Sequence, residues 1–274
     1  MEREQIRISV RNLVEFILRS GDIDNRRASL DTMEAMQAGS RLHRKIQKKM
    51  GSTYHAEVPL NIIIEEENYE LGIWGRADGI IIEETVTIDE IKGVYLSLDL
   101  LEEPVKVHLA QAKCYAYIYG IQNDLQKINV QMTYGNLDTG DLKYFSYEYS
   151  MQQLQEWFSD LILKYKKWAD FQYEWRKKRQ ASIKELAFPF PYREGQKELA
   201  AGVYRTIARK KNLFIQAPTG VGKTISTLYP AIKAVGEGLG DKIFYLTAKT
   251  VTANVAKETL GILCEKGYRA KSVQ

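Results

Sequence analysis

Apolar and polar residues recur along the first 180 positions with two different periods, and these periods predict helices and strands. Apolar residues at helical spacing predict an amphipathic first helix, which Ser9 is suited to begin and Gly21 to end. Short β-branched runs between turn residues predict a meander of antiparallel strands. The predicted elements are helices over 9–20 and 32–50, strands over 58–65, 69–75, 77–83 and 85–92, a helix over 103–120, strands near 127–134 and 142–149, and a helix over about 150–180.

The pattern changes after a proline-rich stretch that begins near residue 187. Three helical patterns alternate there with two apolar runs, at 194–210, 213–216, 223–235, 242–247 and 251–265. Alternation of this kind predicts parallel strands joined by helices. We therefore expect an α/β domain over 1–183, with a mixed sheet flanked by helices, then a linker over 184–192 and a parallel α/β unit over 193–274.

Composition describes an ordinary globular protein, with 27% charged and 45% hydrophobic residues and a net charge of +4. Basic residues cluster at 44–49, 164–167, 176–179 and 209–211, where solvated helix faces and phosphate contacts are both open interpretations. The cysteines Cys114 and Cys264 are far apart in sequence, as expected in a reducing compartment. With no membrane-length apolar run and no signal peptide, we expect a cytoplasmic protein without membrane contact.

Candidate chemistry begins with Glu90 and Lys92 on a predicted strand. Side chains alternate along a strand, so these two share one face while Ile91 turns into the core. With Asp78 and His43 they offer two carboxylates and an imidazole, a donor set suited to Mg²⁺ or Mn²⁺. A divalent metal beside an amine is an arrangement that can hydrolyse a phosphodiester, and the amine of Lys92 would stabilise the developing charge or orient the attacking water.

Gln111 and Tyr115 lie four residues apart and share one face of a predicted helix. They could contact a substrate phosphate or orient the lysine. Each feature alone has a common structural interpretation: a surface Glu–Lys pair, a satisfied core histidine, an Asp–Gly turn, or helix packing. Their order along the chain favours a nuclease.

The motifs Gly39-Ser-Arg-Leu-His43, Gly75-Arg-Ala-Asp78-Gly79, Asp89-Glu90-Ile91-Lys92 and Gln111-x-x-x-Tyr115 resemble the PD-(D/E)XK nuclease superfamily over about residues 1–180. The likeness is to its RecB-type and CRISPR-associated RecB-like exonucleases, and it implies a restriction-endonuclease-like fold. It also implies that His43, Asp78, Glu90 and the Ile91 carbonyl hold the metal. Lys92 would be catalytic, with Gln111 and Tyr115 assisting. Many relatives carry four cysteines for an iron–sulfur cluster, and two cannot supply that set, so no cluster is expected.

A second site is predicted at Ala217-Pro-Thr-Gly-Val-Gly-Lys-Thr224, between an apolar run and a helix. Gly220 and Gly222 let backbone N–H groups converge on phosphates at the helix N-terminus. Lys223 would reach the β- and γ-phosphates of ATP, and Thr224 would hold Mg²⁺. The nucleotide-binding residues predicted here are Gln196, Thr219, Gly220, Gly222, Lys223 and Thr224.

Two flanking motifs support this assignment. Arg193-x-x-Gln196 resembles the adenine-reading Q motif of DinG/XPD-like superfamily 2 helicases, although an exposed helix-start glutamine is the alternative. Tyr245-Leu-Thr-Ala-Lys-Thr250 resembles their motif Ia, which contacts single-stranded DNA. No Walker B carboxylate follows, so we expect a partial RecA-like P-loop unit whose motor continues beyond residue 274. This chain alone should not hydrolyse ATP efficiently.

The leading hypothesis is a metal-dependent DNA exonuclease attached to the start of an ATP-dependent helicase, acting in DNA repair or end processing. Its expected partners are single-stranded or free-ended DNA and a nucleotide. One alternative is an ATP-binding helicase fragment whose N-terminal domain binds DNA without cleaving it. The other is a regulatory nucleic-acid-binding module in which both sites are inactive.

Overall fold

The computed structural model describes residues 3–21, 32–218, 220–248 and 250–273. The chain divides into two compact units, Met1–Asp170 and Phe171–Gln274. Their boundary falls within one long helix, α4 (Met151–Glu185). Each unit is described by itself below.

The first unit has a mixed α/β fold, as the sequence predicted. Its elements are β1 (Gln5–Ser9), α1 (Val10–Ile17), α2 (Thr32–Gln47), β2 (Tyr54–Glu65), β3 (Glu70–Ile81), β4 (Thr87–Val94), a 3₁₀ turn (Leu98–Leu100), α3 (Lys106–Gln122), β5 (Lys127–Asn136), β6 (Leu142–Ser150) and the first part of α4. Ser9 begins α1 as predicted, because its side chain accepts a hydrogen bond from the backbone N–H of Asn12 at 3.2 Å.

Six strands form one mixed sheet in the order β1-β3-β4-β5-β6, with β2 paired to β3 off this path. Strands β2, β3 and β4 are successively antiparallel, so the predicted meander is confirmed. The β1–β3 and β4–β5 pairs are parallel. Helices cover opposite faces, since Ile91 of β4 packs on α2 while its neighbour Lys92 contacts α3.

Several details of the first unit differ from the sequence prediction. Helix α1 ends at Ile17, before the predicted stop at Gly21. Strand β1 was missed, because five residues before a helix cap carry little periodic signal. The runs predicted as two strands over 69–75 and 77–83 form the single strand β3, since its inner glycines continue the pairing with β2 instead of ending it. The long helix continues to Glu185.

Strand β3 has a gap along one edge that positions the candidate site. The opposite edge pairs with β2 at every residue of the strand except Asp78. On the gapped edge, β1 pairs with residues 70–74 and β4 with residues 79–81. Among the described residues, 75–78 of β3 therefore have no strand partner on that side, and the sheet opens there.

The second unit consists of helices around a small core. They are the end of α4, α5 (Gln196–Ala208), α6 (Lys223–Gly236) and α7 (Thr250–Glu265). The three helices predicted in this region are confirmed. Their buried core contains Ile183, Leu186, Ile225, Ile232, Val235, Leu263 and Tyr268.

The two predicted strands of this unit, over 213–216 and 242–247, do not form. Both segments are irregular, and Phe214 and Leu246 are 96% and 88% exposed. A strand is stabilised by backbone hydrogen bonds to a neighbouring strand, and neither segment has one among the described residues. The prediction of a parallel sheet here was therefore wrong for this structure.

Across the described ranges, every helix is too short or too polar to cross a lipid bilayer.

Candidate metal and nucleotide sites

The side chain of Asp78 lies in the gap along the edge of β3. Its Oδ2 accepts a hydrogen bond from the backbone N–H of Ile91 at 2.9 Å, and its Oδ1 is 3.5 Å from Nδ1 of His43. These contacts connect β3 to β4 and to α2. The structure therefore places Asp78, His43 and the main chain of Ile91, three of the predicted metal-binding positions, next to one another.

Glu57 on β2 joins this cluster, although the sequence analysis did not select it. Among the described residues, His43, Glu57 and Asp78 are the group of metal-ligating side chains whose ligand atoms all lie within 4.8 Å of one another. Carboxylate oxygens and an imidazole nitrogen suit Mg²⁺ or Mn²⁺, with the imidazole favouring Mn²⁺. The donor set therefore fits the predicted ion.

Glu90 is completely buried beside this cluster and is not one of its three members. Its Oε1 accepts a hydrogen bond from Nζ of Lys92 at 2.5 Å, while its Oε2 has no partner among the described residues. Burial and the charge of Asp78 raise the pKa of Glu90 to about 8, against the opposing effect of Lys92. The positive charge of Lys92 therefore does not fully offset the burial of Glu90 and the negative charge of Asp78 beside it.

The alternation predicted for β4 is observed. Glu90 and Lys92 share one face, and Ile91 packs between Leu42 and Ile46 of α2 on the other. Asp89 also lies on the far face, where its carboxylate accepts hydrogen bonds from the side chains of Tyr54, Gln131 and Thr133. Asp89 is therefore a satisfied buried acid that anchors β4 to β2 and β5.

One face of α3 is directed at the Glu90–Lys92 pair. Gln111 Oε1 accepts a hydrogen bond from Lys92 Nζ at 3.4 Å. The Tyr115 hydroxyl accepts one from the backbone N–H of Arg76 at 3.4 Å, inside the gap of β3. Gln111 and Tyr115 thus lie on one face of α3, as their spacing predicted, and they contact Lys92 and the Arg76 backbone respectively.

His108 shares this face of α3, three residues before Gln111, and was missed in the sequence. The hydroxyl of Tyr134 accepts a hydrogen bond from the Val105 N–H at 3.0 Å and forms a second hydrogen bond with Nδ1 of His108, also 3.0 Å away. Burial lowers the pKa of His108 to about 4, and the positive charge of Lys92 acts in the same direction. Its helical spacing from Gln111 was a usable signal, whereas Glu57 carried none.

The predicted phosphate-binding loop has the backbone that its glycines allow. Gly220 and Gly222 adopt left-handed φ angles of +83° and +72°, which side chains would disfavour. Lys223 is the first residue of α6, and its Nζ donates to the carbonyls of Ala217 at 2.9 Å and Pro218 at 2.6 Å. Thr224 is half-buried in the first turn of α6. Thr219, also predicted, lies outside the described residues, as does Lys249 of the motif Ia segment.

Gln196 connects the start of α5 to this loop. It is buried, its Oε1 accepts from the backbone N–H of Arg193 at 3.0 Å, and its Nε2 donates to the Val221 carbonyl at 3.4 Å. The Arg193 guanidinium donates to the Gly220 carbonyl. The alternative of an exposed helix-start glutamine is therefore wrong.

Comparison with known proteins gives a short match. No protein-family model matches the chain. A stretch of 51 residues is 51% identical to a probable ATP-dependent helicase of Methanocaldococcus jannaschii, covering 18% of this chain and 8% of that protein. The chain is thus similar to a small part of that relative. The crystal structure of a protein named SSO0001 shares 20% identity, covers 60% of this chain and 78% of its own, and has a TM-score of 0.38. A TM-score of this size does not establish a common fold.

Proposed function

We propose that the first unit is a metal-dependent deoxyribonuclease of the restriction-endonuclease-like type, attached to the beginning of an ATP-dependent helicase motor. The observation that carries this proposal is the juxtaposition of His43, Asp78 and Glu57 with the buried Glu90–Lys92 pair. A metal held by these groups would activate the phosphodiester for hydrolysis, and an amine beside it would stabilise the charge that develops.

His43, Asp78 and Glu90 would hold Mg²⁺ or Mn²⁺, with the Ile91 carbonyl as a further donor. The unpartnered Oε2 of Glu90 and the deficit of positive charge around it support this fit. When bound, the cation would supply Lewis-acid polarisation of the scissile phosphodiester.

Lys92 would stabilise the negative charge that develops on the phosphoryl oxygens. Its ammonium lies between Glu90 and Gln111, which hold it at a fixed position on the site face. The hydroxyl of Tyr115 would accept the hydrogen bond of the Arg76 backbone N–H in place of a neighbouring strand, so that the edge of β3 stays open. These groups are the proposed catalytic and positioning residues of the nuclease.

The second part of the proposal is nucleotide binding by the loop around Lys223. The matched relative's description as a probable ATP-dependent helicase supports it, as do the left-handed glycines and the contacts of Gln196 and Arg193 with the loop. We propose that the chain binds ATP and free-ended or single-stranded DNA, and that the remainder of the motor is needed for efficient hydrolysis. A role in DNA repair or end processing would follow from these two activities.

End-labelled single-stranded DNA incubated with Mn²⁺ tests the nuclease directly. Wild-type protein should release labelled product, and Lys92→Ala should reduce the rate by about a hundredfold or more. Lys127→Ala is the matched control, because Lys127 forms an exposed pair with Glu148 on the far strands β5 and β6. No product from the wild type, or equal product from Lys92→Ala, would refute the nuclease. ATP and DNA binding without cleavage would instead favour the helicase fragment with a non-cleaving DNA-binding domain.

A further inference from the structure

We propose that Glu57 is a further direct ligand of the divalent cation, in addition to the ligands His43, Asp78 and Glu90 proposed above. This inference rests on the proposed metal-dependent function and adds to it a ligand from β2, a strand that contributes nothing to the sequence motifs. Glu57 supplies an oxygen within 4.8 Å of the ligand atoms of both other residues.

The backbone of β2 directs Glu57 to this position. Residues on both sides of Glu57 keep regular antiparallel pairing with β3, so no residue is inserted and Glu57 lies opposite Asp78. Glu57 nevertheless adopts a left-handed φ of +56°, which is unfavourable for a residue with a side chain. Such a conformation persists where the surroundings enforce it, and here it accompanies the placement of one carboxylate next to another.

Two carboxylates facing each other across a strand pair repel unless a cation lies near them. In the part of the chain that the structure describes, Glu57 contacts Arg76, whose Nε is 2.7 Å from Oε2, and Gln47, whose Nε2 is 3.1 Å from Oε1. Gln47 is neutral, and the Arg76 side chain is 67% exposed, where water weakens its effect. Each carboxylate oxygen has two lone-pair sites, so these contacts leave room for a metal bond.

A separate observation points to a cation at the same place. Oε2 of the fully buried Glu90 has no hydrogen-bond partner among the described residues. The negative charge of Asp78 is also close enough to act on Glu90. Buried carboxylate oxygens are normally satisfied by hydrogen bonds or metals. A divalent ion at the cluster of His43, Glu57 and Asp78, with Glu90 as the ligand proposed above, would supply the missing positive charge.

Isothermal titration of the full chain with MnCl₂ tests this assignment without an activity measurement. Wild type should bind Mn²⁺, and Glu57→Gln should weaken that binding by about tenfold or more. Loss of a residue that only orients a metal ligand already reduces metal affinity by about this factor, and loss of a ligand itself should reduce it at least as much. Glu65→Gln is the matched control, because Glu65 lies at the exposed end of the same strand. Equal affinities for Glu57→Gln and wild type would overturn the inference and leave the proposed function standing. Absence of Mn²⁺ binding by the wild type would overturn both.

A purely structural role for Glu57, as an anchor for Arg76, predicts a different result. In that case Arg76→Met would weaken Mn²⁺ binding as much as Glu57→Gln does. If Glu57 is a ligand, Arg76→Met should retain or increase the affinity, because it removes a cation that competes for the carboxylate. Thermal unfolding in EDTA shows whether each variant folds. If Glu57→Gln does not fold, Glu57→Asp takes its place, because it keeps the charge but shortens the side chain and should also weaken Mn²⁺ binding.

Discussion

Oδ2 of Asp78 accepts a hydrogen bond from the backbone N–H of Ile91 at 2.9 Å, immediately beyond the last paired residues of β3 and β4. The side chain thus replaces the strand-to-strand hydrogen bond that is lost where the sheet opens. Its other oxygen remains directed towards His43. One carboxylate therefore both fixes the geometry of the open edge and contributes to the candidate metal site.

Separating these two roles of Asp78 gives the first prediction. Asp78→Ala should lower the free energy of unfolding by about 1–3 kcal/mol, because the Ile91 N–H is left without an acceptor. Asp78→Asn keeps an oxygen for that hydrogen bond and should cost clearly less, while both variants lose Mn²⁺ binding. Urea denaturation in EDTA measures the stability of each. Equal destabilisation by the two substitutions would show that the hydrogen bond to Ile91 contributes little.

The close approach of α3 to β3 gives a second prediction. A Cβ at Gly75 would lie 2.6 Å from the Tyr115 hydroxyl, and Tyr115 is a buried, rigid side chain. Gly75→Ala should therefore destabilise the protein by about 1–3 kcal/mol through overpacking. Gly72→Ala on the same strand is the control, since its Cβ would meet Gln5 at an ordinary 3.5 Å. Comparable urea midpoints for the two variants would contradict the packing described.

The depressed pKa of His108, about 4 against 6.5 in the unfolded chain, gives a prediction about pH. Because the folded state binds this proton less tightly, the stability associated with neutral His108 is present above pH 6.5 and is lost as the pH falls towards 4. His108→Asn keeps a polar group that can form the hydrogen bond with Tyr134, and it should remove this dependence.

The measurement is the difference in unfolding free energy between wild type and His108→Asn, taken at several pH values. The wild type should lose stability relative to His108→Asn as the pH falls from 7 to 4.5. A pH-independent difference for His108→Asn would disprove the assignment.

Nucleotide binding by the second unit gives the last prediction. Lys223→Met should weaken binding of a fluorescent ATP analogue by about tenfold or more, because it removes a charged hydrogen-bond donor from the phosphate loop. Lys257→Met, at an exposed position of α7, should bind as the wild type does. Equal affinities for Lys223→Met and wild type would exclude phosphate contact by this lysine.

Local sequence was sufficient for much of the fold and part of the site. The helices, the antiparallel meander and the cap at Ser9 followed from periodicity and side-chain chemistry, which act over a few residues. The common face of Glu90 and Lys92 followed from strand alternation alone. Likewise, Gln111 and Tyr115 were placed on one side of α3 by helical spacing.

Tertiary structure alone decided which distant groups meet. Glu57 is next to Asp78 because β2 pairs with β3 in one register, and a shift of a single residue would turn it to the other face. Conversely, the apolar run at 213–216 had the composition of a strand but does not form one. A strand needs a neighbour for its hydrogen bonds, and that requirement, unlike helical spacing, is met by residues far away in the chain.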